Sequence, residues 1–183
     1  MIEPTIIDNV IKEKQNFFCG DTEHFSQTRD VFSARLQSFI IQRKEYLEAA
    51  VIGEIGNNTF DHNFVFDINY PKGVYCNFCC NNKFVVISDY GRGIRDSLLP
   101  VVHLISGDME AVEIAFTRHI SGRSPEQRGN GLKFVSETVR QKHWHLFFQS
   151  GNGTCSIDKN NILFNESNVS LPGCLAVISF NYG

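Results

Sequence analysis

Apolar residues follow two periods along this chain of 183 residues, and each period predicts a kind of element. Val31, Phe32, Leu36, Phe39 and Ile40 fall at helical spacing with charged residues between them, which predicts a helix beginning near His24 or Ser26. Leu47, Ala50, Val51, Glu54, Ile55 and Asn58 continue that period and predict a second helix after a bend near 42–45, ending around 59–63. Residues 63–68 then read as a short strand or irregular segment, and 70–73 as a turn. Val74–Cys80 and Lys83–Ser88 are rich in aromatic and β-branched residues and predict a hairpin around Asn81 and Asn82. A helix or helical turn is expected over Ser97–Ile105, with Pro100 limiting the start, and further helices over Met109–His119 and Gly131–Gln141. The polar, turn-rich stretch 121–130 reads as a loop. His143–Gln149, Thr154–Ile157 and Leu175–Phe180 read as three closing strands. Ile2, Ile6, Ile7, Val10 and Ile11 suggest a short packed arm or strand.

Together these elements predict an α+β fold: a two-layer sandwich with a mixed, mainly antiparallel sheet covered by helices on one face. Residues 1–29 form an N-terminal arm and 30–183 a single domain. Sixteen Phe support a real core. The net charge of -3 gives no reason to expect nucleic-acid binding. No run approaches the roughly 18 apolar residues of a membrane span. The first residues have neither the basic region nor the apolar stretch of a signal peptide, so a cytoplasmic location is expected. Six cysteines include Cys76, Cys79 and Cys80 as C-x-x-C-C, but no second C-x-x-C pair completes a zinc site. Reduced thiols in strands and core are the expected reading; structural zinc is the alternative.

Three segments carry candidate chemistry. Glu54 and Asn58 lie one helical turn apart on one face, and His62 extends that face if the helix lasts. An amide oxygen such as that of Asn58 suits Mg²⁺, and a neighbouring carboxylate can deprotonate a water. The same residues also suit a polar helix C-terminus. Asp89 follows a strand and precedes Gly91 and Gly93; its carboxylate can accept a hydrogen bond from an exocyclic amine, although Asp and Gly are equally standard turn residues. Gly129 and Gly131 precede a helix whose free backbone donors can bind phosphate, with Arg128 and Lys133 adding positive charge; a simple Gly-flanked helix start is the alternative.

In order and spacing, Glu54-Ile-Gly-Asn-Asn58-Thr-Phe-Asp-His62 resembles the N box of the ATPase superfamily of gyrase B, Hsp90, histidine kinases and MutL. Its Glu-x-x-x-Asn-x-x-x-His form looks most like the anti-sigma serine-kinase branch. Asp89-Tyr-Gly-Arg-Gly93 and Gly129-Asn-Gly-Leu132 resemble that family's first and second glycine boxes, and Leu171–Phe180 resembles the strand after its final Gly-Thr motif. The resemblance covers roughly residues 30–182 and implies the Bergerat ATP-binding fold. It implies that Glu54 polarises the attacking water or hydroxyl and that Asn58 ligates Mg²⁺. Asp89 would bind the adenine amine, and Gly91 and Gly93 would shape the base pocket. Residues 107–130 would form a lid, with Gly129, Gly131 and Leu132 contacting the phosphate side, Arg128 adding positive charge, Lys133 either touching phosphate or changing lid closure, and His62 orienting the phosphate side or packing beneath the helix. Three positions depart from the family pattern: Tyr90 stands for the common Asn, Lys133 for a glycine, and Cys174 for the usual Thr. The implied activity is Mg²⁺-dependent ATP binding, with hydrolysis or phosphoryl transfer to a protein partner. The alternative is a non-catalytic ATP-responsive interaction module. A homodimer is compatible with either.

Overall fold

The computed structural model describes residues 2–19, 21–62, 70–80, 84–118 and 131–180; for His62, Cys79 and Cys80 it describes the backbone alone. Five strands form one sheet in the order β1-β2-β3-β5-β4: β1 (Phe25–Ser26), β2 (Val74–Cys80), β3 (Phe84–Asp89), β4 (His145–Ile157) and β5 (Ile162–Ser179). Every described pairing is antiparallel. The fold is α+β, with helices packed on an antiparallel sheet.

The helical layer holds α2 (Arg29–Arg43), α3 (Tyr46–His62), α5 (Asp108–Thr117) and α6 (Gly131–Gln141). Phe32, Ile52, Phe116 and Val135 from these helices meet Val74, Val85, Ile87, Phe148 and Ile178 of the sheet. Thr28 caps α2, its hydroxyl accepting from the Val31 N–H at 3.4 Å. The helix therefore starts later than His24 or Ser26, because Phe25 and Ser26 are taken up in pairing with Tyr75 and Val74. Lys44, with φ at 59°, ends α2 in a left-handed cap, which places the bend where the sequence predicts it.

The second face of the sheet is covered as well. The arm holds α1 (Pro4–Gln15), whose Ile6, Ile7, Val10 and Ile11 pack with Tyr75, Val86, Phe147, Leu175 and Val177. Apolar positions at i, i+1, i+4 and i+5 are one face of a helix, and Pro4 sits in the first turn, where its missing N–H costs nothing. Where both faces are buried, β3 and the end of β5 carry continuous apolar runs rather than alternation: Phe84-Val-Val-Ile87 and Leu175-Ala-Val-Ile178.

Two further elements differ from the sequence reading. Where a helix or helical turn is expected over Ser97–Ile105, the helix is α4 (Gly93–Leu98), which starts inside the glycine segment, and turn residues follow it through Pro100 to Val101. The three closing strands are two, joined as a long hairpin. Gly151 and Gly153, which suggest a loop, lie in a bulge of β4 where Asp108 at the start of α5 packs against them; a side chain on either would strike Asp108. The segment 63–68, the Asn81-Asn82 turn and the loop 121–130 lie outside the described residues. Among the described residues no helix is long and apolar enough to cross a membrane.

Packing between α2 and α3 gives a stability test. A methyl group at Gly56 would lie 2.7 Å or less from two ring carbons of Phe32, which is 0% exposed. Gly→Ala inside a helix normally adds about 1 kcal/mol, while overpacking a core costs about 1–3 kcal/mol. Gly56→Ala is therefore expected to forfeit the usual helix gain and lose up to about 2 kcal/mol in urea unfolding. A gain in stability would contradict this packing.

Candidate functional site

The strand period decides where the end of β3 points. Ser88 and Tyr90 face α1, while Asp89 between them faces α3. Asp89 is 4% exposed. Its Oδ2 accepts from the Thr59 hydroxyl at 3.3 Å and its Oδ1 from the Gly91 N–H at 2.8 Å. These donors orient the carboxylate as an acceptor. Gly173, with φ at +66°, presses its Cα against Asp89 so closely that any side chain would meet the Asp89 backbone and carboxylate. Gly93, with φ at +77°, opens α4. The Ser150 hydroxyl fixes both glycine turns, accepting from the Ile94 N–H at 2.9 Å and donating to the Gly173 carbonyl at 3.0 Å.

The other end of the site lies farther back along α3. Glu54 is exposed on that helix, and a side chain added at Gly131, the first residue of α6, would run into its carboxylate. The α6 N-terminus thus lies beside the Glu54 carboxylate. Five residues separate Glu54 from Thr59, about 7.5 Å along the axis. A single helix therefore links the α6 N-terminus to Asp89. Asn58 lies between them, partly buried. Beside it Asn57 holds a buried amide oxygen with no hydrogen-bond partner among the described residues.

The remaining expected residues divide. Leu132 is a core side chain, packed in the helical layer rather than presented to a ligand. Lys133 is partly buried with its Nζ 4.0 Å from Glu137 Oε1, one turn along α6. Arg128 and Gly129 lie outside the described residues, as does the His62 side chain. Of the expected lid, the part in α5 buries Ala111, Val112, Ile114 and Phe116. Among the described residues no group of three or more His, Cys, Asp or Glu could hold a metal ion. Cys76, Cys155 and Cys174 are buried cysteines, and burial pushes the Cys155 thiol up to about 12.

Sequence reasoning missed the group beneath Asp89. Lys14, on α1, is 0% exposed. Its ammonium donates to the Ser88 hydroxyl at 2.7 Å, to the Asp89 carbonyl, and to the Cys174 carbonyl at 3.2 Å, so all three N–H donors are used. It also lies 4.2 Å from the centre of the Tyr90 ring. The Tyr90 hydroxyl donates back to the Lys14 carbonyl at 2.8 Å. Tyr90 is therefore part of the α1 contact on the far face of the sheet, not a wall of the pocket. Burial lowers Lys14 from 10.5 to about 8, and the nearby Asp89, with a smaller contribution from Cys174, opposes that fall. Burial, with help from Asp89, pushes Tyr90 up.

No protein-family model matches the chain, and no curated protein matches it. Among solved structures the chain is similar to the 43K ATPase domain of Thermus thermophilus gyrase B in complex with an aminocoumarin. The identity is 14% and the TM-score 0.43, over 80% of this chain and 39% of that one. The chain thus spans about two-fifths of that gyrase B chain. A likeness this distant carries no argument about the site.

The buried ammonium gives stability a pH dependence. Between pH 8 and 10.5 the unfolded chain holds a proton on Lys14 that the folded chain has released, so stability rises with pH across that window. Tyr90 and Cys155, raised in the fold, act in the opposite sense at higher pH. Subtracting the same profile for Lys14→Met cancels both. The wild type should gain about 2 kcal/mol on the variant between pH 8 and 10 in urea unfolding. A flat difference would contradict the buried charge.

Proposed function

We propose that this protein binds ATP with Mg²⁺ and either hydrolyses it or passes the γ-phosphoryl group to a hydroxyl of a protein partner. The observation that carries the reading is the span of α3: Glu54 meets a glycine-started helix at one end and Thr59 meets a buried aspartate at the other. This arrangement suits a ligand with a base at one end and phosphates at the other.

The residues present fit both groups. Asp89, oriented by Thr59 and Gly91, keeps acceptor capacity for the exocyclic amine of adenine. Thr59 supplies a hydroxyl beside Asp89, where Cys174 lacks the one that the family pattern provides. The α6 N-terminus offers backbone donors and the positive end of a helix dipole to phosphate. Asn58 would hold Mg²⁺ by one amide oxygen, with phosphate oxygens and waters completing the shell, and the orphaned Asn57 oxygen marks the same turn of α3 as one with polar capacity to spare. Bound Mg²⁺ would neutralise phosphate charge. Glu54, exposed, is the base that would take a proton from water or from a partner's hydroxyl. Arg128, Gly129, Gly131 and Lys133 would serve the phosphate side. Residues 108–117 would not belong to a lid, because α5 is part of the core.

One observation favours the second reading, an ATP-responsive interaction module without turnover. The Glu54 carboxylate already lies against the start of α6, where a carboxylate stabilises a helix as a cap does. In that role it would switch with phosphate occupancy rather than act as a base. A protein partner, or a second copy of the chain, would read the change.

Calorimetric titration with ATP and GTP, with and without Mg²⁺, separates these ideas. Asp89→Asn should weaken ATP binding about 10–100-fold, the worth of a hydrogen bond to a charged group. Asn58→Ala should remove the Mg²⁺ dependence. Glu54→Ala should keep ATP binding and lose ADP production. Equal ATP and GTP affinity in the wild type would end the Asp89 assignment. ADP production unchanged in Glu54→Ala would end the role of Glu54 as base.

A further inference from the structure

Lys14 poses a question that the proposed pocket does not answer. It occupies the apolar face of α1, one turn beyond Val10 and Ile11, where Leu or Met would fill the space without desolvating a charge. A buried ammonium persists only when every donor is met, and here every acceptor lies in the strand ends beside Asp89. Ser88 and Asp89 end β3, and Cys174 follows the Gly173 turn of β5. The Ser88 hydroxyl donates to the Cys174 carbonyl at 3.0 Å and is thereby left to accept from Lys14. The ammonium thus ties β3 to β5 at the point where Gly173 presses on the Asp89 carboxylate. Tyr90 holds Lys14 from the same side by ring and hydroxyl.

We propose that Lys14 is a positioning residue for base recognition: docking of α1 on the far face of the sheet sets the Asp89 carboxylate on the near face. This rests on the reading of Asp89 as the adenine acceptor. The peptide groups of Asp89 and Cys174 cannot rotate while one ammonium holds both carbonyls. The side chain of Asp89 inherits that constraint through its own Cα. Base selectivity is therefore coupled to the N-terminal helix, and a change that lifts α1 lowers discrimination between bases before it affects the phosphate end, which is built by α3 and α6.

The test is the ratio of GTP to ATP dissociation constants, measured by calorimetry with Mg²⁺ for the full chain. Global loosening weakens both nucleotides and leaves the ratio near its wild-type value; loss of positioning collapses it. Lys14→Met, checked for folding by circular dichroism, should reduce the ratio about 10-fold, with GTP affinity within about twofold of wild type. Tyr90→Phe, which frees the Lys14 carbonyl and removes no charge, should reduce it about threefold and decides the matter if Lys14→Met does not fold. Asp89→Asn serves as the control on the underlying reading. If Asp89→Asn abolishes adenine preference while folded Lys14→Met, or Tyr90→Phe in its place, keeps the wild-type ratio, Lys14 has no positioning role and the pocket assignment stands. If the wild type has no adenine preference, the pocket assignment and this proposal both fall.

Discussion

The pairing of β3 with β5 is the constraint on which the rest of the structure depends. It joins the N-terminal half of the chain to the closing hairpin, Val85 opposite Ile178 and Ser88 opposite Leu175. These two strands lie inside the sheet, and over 85–88 and 174–178 they are buried on both faces. Their pairing brings Asp89 against Gly173, and no residue with a side chain fits there. The cost of this geometry falls on backbone carbonyls at the strand ends, which need donors in a place water does not reach. Lys14 supplies them from one face, and Ser88 and Ser150 from within the sheet.

A second constraint is electrostatic. Asp89 and Glu54 put two carboxylates along one helix, and each has a different compensation. Asp89 is buried and takes hydrogen bonds from Thr59 and Gly91, with the Lys14 charge behind it. Glu54 is exposed and lies at the positive end of α6. Under the proposed function the first is a fixed recognition group, whereas the second must yield part of its position to phosphate. The same fold thus supports either a base or a switch at Glu54, and the burial of the two groups explains the difference in their freedom.

Much of this was legible in the sequence where the signal is local. The bend at 42–45, the end of α3, the hairpin strands and the limits of α6 follow from period and from turn residues, and the structure has them there. The α1 helix was obscured because a lysine occupies its apolar face and because its partners lie some seventy residues away or more. The β5 strand was obscured because Asn165, Asn168 and Gly173 read as loop residues; its ladder with β4 overrides that preference. For the proposed site, Glu54, Asn58, Asp89 and Gly131 are named from the sequence. It offered no signal for Thr59, Ser150 or Lys14, whose roles come from contacts across the fold. The continuous apolar runs of β3 and β5 did carry one unread message, that both faces of the sheet are covered.

A crystal structure with a non-hydrolysable ATP analogue and Mn²⁺ in place of Mg²⁺ tests the central claim most directly. The account predicts the adenine amine within hydrogen-bond distance of Asp89, the phosphates at the start of α6, and anomalous signal from manganese beside Asn58. A nucleotide bound elsewhere on the protein, or bound here with its base away from Asp89, would contradict it.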